Sequence, residues 1–236
     1  MKKKNFKLAL FGKRYEDHIF SISTFKKGET NIAKSTETQL GGIYNINRLK
    51  FPQLETTPFE EGSVEAIIVS EFKNSKRSSI LYNPQSFKKK DTSWEKLHDW
   101  THLAYVDDIH SDYLPCFSHS NVSIDFCTLD SREKYLPIIH ACSVVFDSRE
   151  RKPLYSKIKT KTPLIFHDEY GCECVINGKL THSFKSNPIK GLQVNGAGDI
   201  FCGIFIFQLY NIGLKTAINT SCEKTTNQLK LKYEKV

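Results

Sequence analysis

The sequence contains no run of ~18 uncharged apolar residues, the length a helix needs to cross a bilayer, so no membrane span is expected. The nearest candidate, residues 200–214 (IFCGIFIFQLYNIGL), is too short and reads as a buried helix. None of the 7 cysteines forms a Cys-x-x-Cys pair, which removes the commonest zinc and dithiol signatures. Cys172 and Cys174 flank one residue and would share a strand face, but no second ligand pair follows them. There is no His-Glu-x-x-His, no Gly-x-Ser-x-Gly elbow and no Gly-x-x-x-x-Gly-Lys loop, so zincins, elbow-type hydrolases and Walker-type NTPases are excluded. The N-terminal apolar run, residues 8–11, is too short for a secretory signal. An odd number of free thiols then suits a reducing compartment, and the expected location is the cytoplasm.

What is present is ordinary for a globular chain of 236 residues, with 39% hydrophobic and 25% charged positions. That length allows one domain with a small appendage. Lys and Arg number 34 against 26 acidic residues, a formal charge of +8 that favours anionic partners such as nucleotides and phosphates. The excess is scattered apart from small clusters at Lys2–Lys4 and Lys88–Lys90, and no nucleic-acid module accompanies it, so nucleic acid is not an expected partner.

Along the chain, residues 8–11 read as a first buried strand ending at Gly12, and residues 18–27 as a second, half-exposed one. Residues 28–39 are polar and turn-rich, a helix can start after Gly41-Gly42, and Pro52 and Pro58 bound a loop. Residues 64–70 and 79–82 read as a hairpin. Further on, residues 103–106, 122–126, 143–146 and 164–167 are short buried strands, with helical spacing over 132–141. His98 and His102, four apart, would share a helix face. Residues 172–176 with Asn177-Gly178 predict a hairpin, residues 199–210 a long apolar helix and about 214–230 a last helix. Strands alternating with helices predict an α/β fold with a mostly parallel sheet and helices on both faces.

The chemistry concentrates at Asn195-Gly196-Ala197-Gly198-Asp199, at the mouth of the apolar helix. Small residues before a helix leave backbone amides uncovered, and the helix dipole adds positive charge there, which together suit a phosphate. Asp199, in the first turn, either caps the helix or accepts a proton from a hydroxyl while the amides hold a phosphoryl group.

This segment resembles the C-terminal signature of the ribokinase-like (PfkB) carbohydrate kinases, in which a Gly-Ala-Gly-Asp turn opens a Gly-containing apolar helix; Gly203 fits that pattern. Other segments follow in the family's order. Asp17 comes after the first strand, Gly41-Gly42-Ile43-Tyr44-Asn45 is similar to the N-terminal Gly-Gly signature in its shorter variant, and residues 143–150 resemble the strand leading into an Asn-x-x-Glu motif. The resemblance runs from about residue 8 to 230. It implies a three-layer ribokinase-like sandwich, a single domain over residues 1–236, with a mostly parallel central sheet and a small β lid from strands at about 18–38 and 64–85. It implies Asp199 as the catalytic base, Gly196, Ala197 and Gly198 as an anion hole, and Asp17, Gly41, Gly42 and Asn45 as binders of the acceptor. Asp147 and Glu150 would serve Mg²⁺, and Ser221 and Cys222 would fall at the nucleotide's adenine. ATP and Mg²⁺ are the implied cofactors, a sugar or sugar-like molecule the substrate, and a homodimer through the lid the implied assembly.

The chain also departs from that family. It is short between Asn45 and Val64, where a βα unit is usual. Gln193-Val194-Asn195 stands where Asp-Thr is common in members that bind a monovalent cation, and His167-Asp168-Glu169 replaces small residues in the phosphate-facing turn. Three functions therefore stay open: phosphoryl transfer to a hydroxyl, a degenerate member that binds sugar or nucleotide without efficient transfer, or a basic binding protein of unrelated function.

Overall fold

The computed structural model describes residues 5–71, 73, 76–86, 97–104, 121–126, 131–189 and 194–233. The basic clusters at Lys2–Lys4 and Lys88–Lys90, Cys116, Cys127 and Gln193 lie outside these residues. The described strands form a 10-stranded sheet, ordered β10-β9-β8-β7-β6-β5-β1-β3-β4, with β2 paired to β1 off that path. They are β1 (Phe6–Ile22), β2 (Ser35–Gly42), β3 (Leu54–Glu71), β4 (Lys76–Ser86), β5 (Trp100–Ala104), β6 (Asn121–Asp125), β7 (Val144–Ser148), β8 (Leu164–Asp168), β9 (Gly171–Ile176) and β10 (Lys179–Lys185). The helices are α1 (Ile43–Asn47), α2 (Leu136–Ala141), α3 (Ala197–Ile212) and α4 (Leu214–Tyr233), with 3-10 turns at Arg132–Tyr135 and Arg149–Tyr155.

The centre of the sheet is parallel: β3, β1, β5, β6, β7 and β8 all run the same way. Side chains alternate between its faces. On β7, Val144 and Phe146 enter the core beneath α1, α3 and α4, whereas Val145 enters the core beneath α2 and the 3-10 turns. A strand buried on both faces must be apolar at nearly every position, which is why these strands were readable as short uninterrupted runs. Helix α3 is buried from Asp199 through Ile206 and at Gln208, because the sheet, α1 and α4 together surround it. Its close approach to α1 needs Gly203: a Cβ there would stand 2.6 Å from Cγ2 of Ile46 and 2.7 Å from Cδ1 of Leu49. Gly213, at φ 84°, ends α3 and turns the chain directly into α4.

Four sequence expectations change. The first strand does not stop at Gly12; β1 continues to Ile22 and carries one bulge against β3 at Gly12/Lys13. Pro58 bounds no loop but lies within β3, paired with Leu10 where β3 has not yet met β4, so its missing N–H disturbs no second ladder. Residues 35–39 belong to β2 rather than to a turn. The second halves of β1 and β3, with β2 and β4, form an extension projecting from the main sheet, in the order β2-β1-β3-β4. His98 and His102 share no helix either, for His102 is buried in β5 with Nδ1 2.9 Å from the Ser123 hydroxyl.

Replacing Gly203 by Ala should destabilise the fold by about 1–3 kcal/mol, because the methyl must displace Ile46 and Leu49. Urea denaturation should show a lowered midpoint with an unchanged slope.

Candidate active site

Asp199 occupies the third position of α3, behind the N-cap Gly196, and is 3% exposed. Burying a carboxylate requires compensating donors. Asn45 supplies one, donating from Nδ2 to Oδ2 of Asp199 at 2.8 Å. Asn45 can reach it because Gly196 has no side chain: a Cβ there would lie 2.6 Å from the Asn45 amide carbon. Gly196 also holds φ 78°, in the left-handed region glycine tolerates best.

The other side of Asn45 faces α4. Its Oδ1 accepts from Nζ of Lys232 at 3.2 Å, and the same ammonium lies 3.4 Å from the Asn195 carbonyl. Since α4 leaves α3 at a tight turn and doubles back, its last turn returns Lys232 to the helix mouth. Burial and Arg48 pull the Lys232 pKa down to about 8, against the opposing influence of Asp199, Glu37 and Asp17.

Asp17 enters from the extended half of β1 and is 5% exposed. Its carboxylate packs so closely on Gly41 that a Cβ on that glycine would meet Oδ2 at 2.2 Å. Burial raises the Asp17 pKa; its hydrogen bond with Asn195 and the charges of Arg77, Lys232 and Arg48 oppose the rise. Arg77, on β4, donates to Oδ1 of Asn195 at 2.9 Å. Thus Asp17, the Gly41–Asn45 segment and Asp199, from three separate stretches of sequence, come together, with Gly42 as the N-cap of α1. At the helix mouth, Ala197 donates its amide to the Val194 carbonyl at 3.0 Å, closing the turn. The Ile200 amide is likewise committed, to the Gly196 carbonyl at 3.0 Å, so the amides that helix geometry leaves for an anion lie between these two, starting at Gly198.

No protein-family model matches the sequence, and curated proteins give no match. Solved structures do. Ribokinase from Thermotoga maritima superposes with a TM-score of 0.63 at 14% identity, covering 93% of this chain and 91% of that one. The nucleoside kinase of Methanocaldococcus jannaschii, an archaeal member of the ribokinase family, gives 0.61 at 15% identity, covering 97% and 99%. Arabidopsis thaliana ribokinase, complexed with ribose and ATP, gives 0.59 at 12% identity, covering 96% and 99%. The chain has the ribokinase-like fold.

Within this ribokinase-like frame, the remaining expected site residues lie apart from Asp199's immediate partners. Asp147 is fully buried and paired. Its Oδ2 accepts from Nη2 of Arg132 at 2.7 Å and from the Tyr155 hydroxyl at 2.8 Å, while Oδ1 accepts from Arg151 and from the Ser148 amide at 2.8 Å. A carboxylate so engaged anchors a salt-bridge network and does not fit direct coordination of Mg²⁺. Glu150, next along the chain, is exposed. Ser221 is fully buried and donates to the Ala217 carbonyl at 2.6 Å within its own helix, and Cys222 is hydrogen-bonded to Cys172 of β9. Both side chains are therefore spent inside the protein rather than offered to a nucleotide.

Sequence reasoning missed Lys232, Arg77 and the bridging role of Asn195. Lys232 and Asn45 are 187 positions apart, and no local pattern joins them. Asn195 was at least adjacent to the glycine turn.

Lys232 should titrate well below the other lysines. In competitive acylation as a function of pH, its midpoint should fall near 8, against about 10.4 for exposed lysines. The unfolded chain keeps this proton up to about 10.4, so between those values the group favours the folded state increasingly as pH rises. A Lys232 midpoint equal to that of the exposed lysines would contradict its burial beside Asn45.

Proposed function

We propose that the protein is an ATP-dependent kinase that phosphorylates a hydroxyl of a sugar or sugar-like small molecule. The observation carrying this reading is the hydrogen bond from Asn45 to Asp199 at the mouth of α3, with Asp17 and Gly41 beside it. One carboxylate, held at a helix N-terminus and facing two side chains able to bind hydroxyls, is what transfer to an alcohol needs. Asp17 and Asn45 orient the acceptor, with the Gly41–Gly42 backbone giving it room. Asp199 accepts the proton of the attacking hydroxyl. The Gly198 amide at the helix mouth holds the transferring phosphoryl group, aided by the dipole of α3. Lys232 balances the negative charge of Asp199 and Asp17 on the acceptor side.

The extension formed by β1–β4 acts as the lid, since Arg77 reaches from β4 onto Asn195 beside the glycine turn. Mg²⁺ accompanies ATP, and Glu150 remains the candidate to orient it; Asp147, saturated by its arginines, is not one.

A second reading, ligand binding without efficient transfer, is favoured by the commitment of Asp147 to Arg132 and Arg151. One experiment separates the two. ADP release is followed across sugars, sugar acids and nucleosides, with thermal stability read in parallel. The kinase reading expects acceptor-dependent ADP formation that falls by about 10²–10⁴-fold in Asp199→Asn. Ligand-dependent stabilisation without turnover would select the binder. Turnover undiminished in Asp199→Asn would overturn the assigned role of that carboxylate.

A further inference from the structure

Three side chains outside the acceptor-binding group converge on one small volume: Asp125 at the end of β6, His167 near the end of β8, and Cys202 on α3. One donor atom from each lies within 4.8 Å of the donors of the other two. Asp125 and Cys202 are buried, Cys202 completely. Cys202 follows Asp199 by three residues, so both lie on neighbouring positions of one helix face. Beta strands 6 and 8 deliver Asp125 and His167 at their C-terminal ends, the edge where open α/β sheets hold their ligands.

A second observation is independent of this clustering. Nε2 of His167 is buried and has no hydrogen-bond partner among the described residues. Its ring is fixed by Phe201, at 4.5 Å between centroids, and by the backbone at Gly198, where a Cβ would lie 3.4 Å from Cε1. A buried ring nitrogen left without a partner costs desolvation energy, and an ion is one of the few things that resolves it.

We propose that Asp125, His167 and Cys202 form a binding site for a zinc-class divalent metal ion. The donor set decides the class of ion. One sulfur, one imidazole nitrogen and one carboxylate oxygen suit the borderline softness and tetrahedral preference of Zn²⁺. Mg²⁺ and Ca²⁺ need all-oxygen surroundings and would reject the thiol. Three protein ligands leave a fourth position for water or another small ligand. The site shares no residue with those assigned to transfer, although His167 packs against Gly198, and its test needs no turnover.

The full chain is loaded with Zn²⁺, dialysed against metal-free buffer and analysed for metal content; a parallel sample is loaded with Co²⁺ for absorption spectroscopy. Wild type should retain about one zinc per chain, and the Co²⁺ form should show thiolate-to-metal charge transfer in the near ultraviolet with tetrahedral visible bands. Cys202→Ser should abolish the charge-transfer band although the other cysteines remain. His167→Gln should lose retained zinc with an unchanged far-ultraviolet circular dichroism spectrum. If Cys202→Ser fails to fold, His167→Gln and Asp125→Asn carry the test through zinc retention alone. Wild type that retains no zinc, a charge-transfer band that survives Cys202→Ser, or full retention in His167→Gln would overturn the proposal.

Discussion

The hydrogen bond between Asn45 and Asp199 is the constraint on which the site depends. It joins α1 to α3 across 154 positions of sequence, and it exists only because Gly196 leaves the space that the Asn45 amide occupies. A buried aspartate is costly unless its charge is met. Asn45 meets it on one side and passes the interaction to Lys232 on the other, so three helices are tied at one end by a chain of polar contacts. The apolar flanks of the same helices fix the distances: Gly203 on α3 lets Ile46 and Leu49 of the α1 region close in. Packing and chemistry are therefore the same piece of geometry viewed from two ends of α3.

The ends of the parallel strands carry a second electrostatic problem. Burial, with the neighbouring carboxylates of Asp147 and Asp199, pushes Asp125 up to about 8. The fold answers with Arg132, itself fully buried, and with Arg151. Arg132 spreads its contacts over Asp147, the Tyr155 hydroxyl and the rings of Phe126 and Tyr155. Arginine suits this place because its planar group satisfies several acceptors while stacking on aromatic faces. Removing one partner from such a buried pair typically costs about 3–5 kcal/mol, which makes the network a fixed part of the core.

How far the sequence could be read follows from the range of each interaction. The short strands of the parallel centre were legible because residues such as Val144–Phe146 are apolar on both faces. The glycine turn before Asp199 was legible because its chemistry is local: three small residues and a helix start. The Gly41–Asn45 segment was legible for the same reason. Helix-like spacing misled at His98 and His102, where two positions cannot distinguish one periodicity from another. Pro58 misled because a proline breaks a central strand but not a stretch still unpaired on one side. Lys232 and Arg77 were hidden, since each reaches the site only after the chain has folded back on itself. Asp147 looked like a ligand because its partners, Arg132 and Arg151, are revealed only by the folded geometry of the strand and its flanking turns.

Strands β1 and β3 pass without interruption from the main sheet into the extension, sharing one ladder for their whole length except at the Gly12/Lys13 irregularity. Two rods fused side by side resist bending in their own plane and yield more readily to winding about their long axis. If the extension moves over the glycine turn, the easier path is a corkscrew of the paired strands centred on that irregularity rather than the swing of a flap on a loose joint. Arg77 and Asp17 would then travel together, since their strands flank β3 on either side.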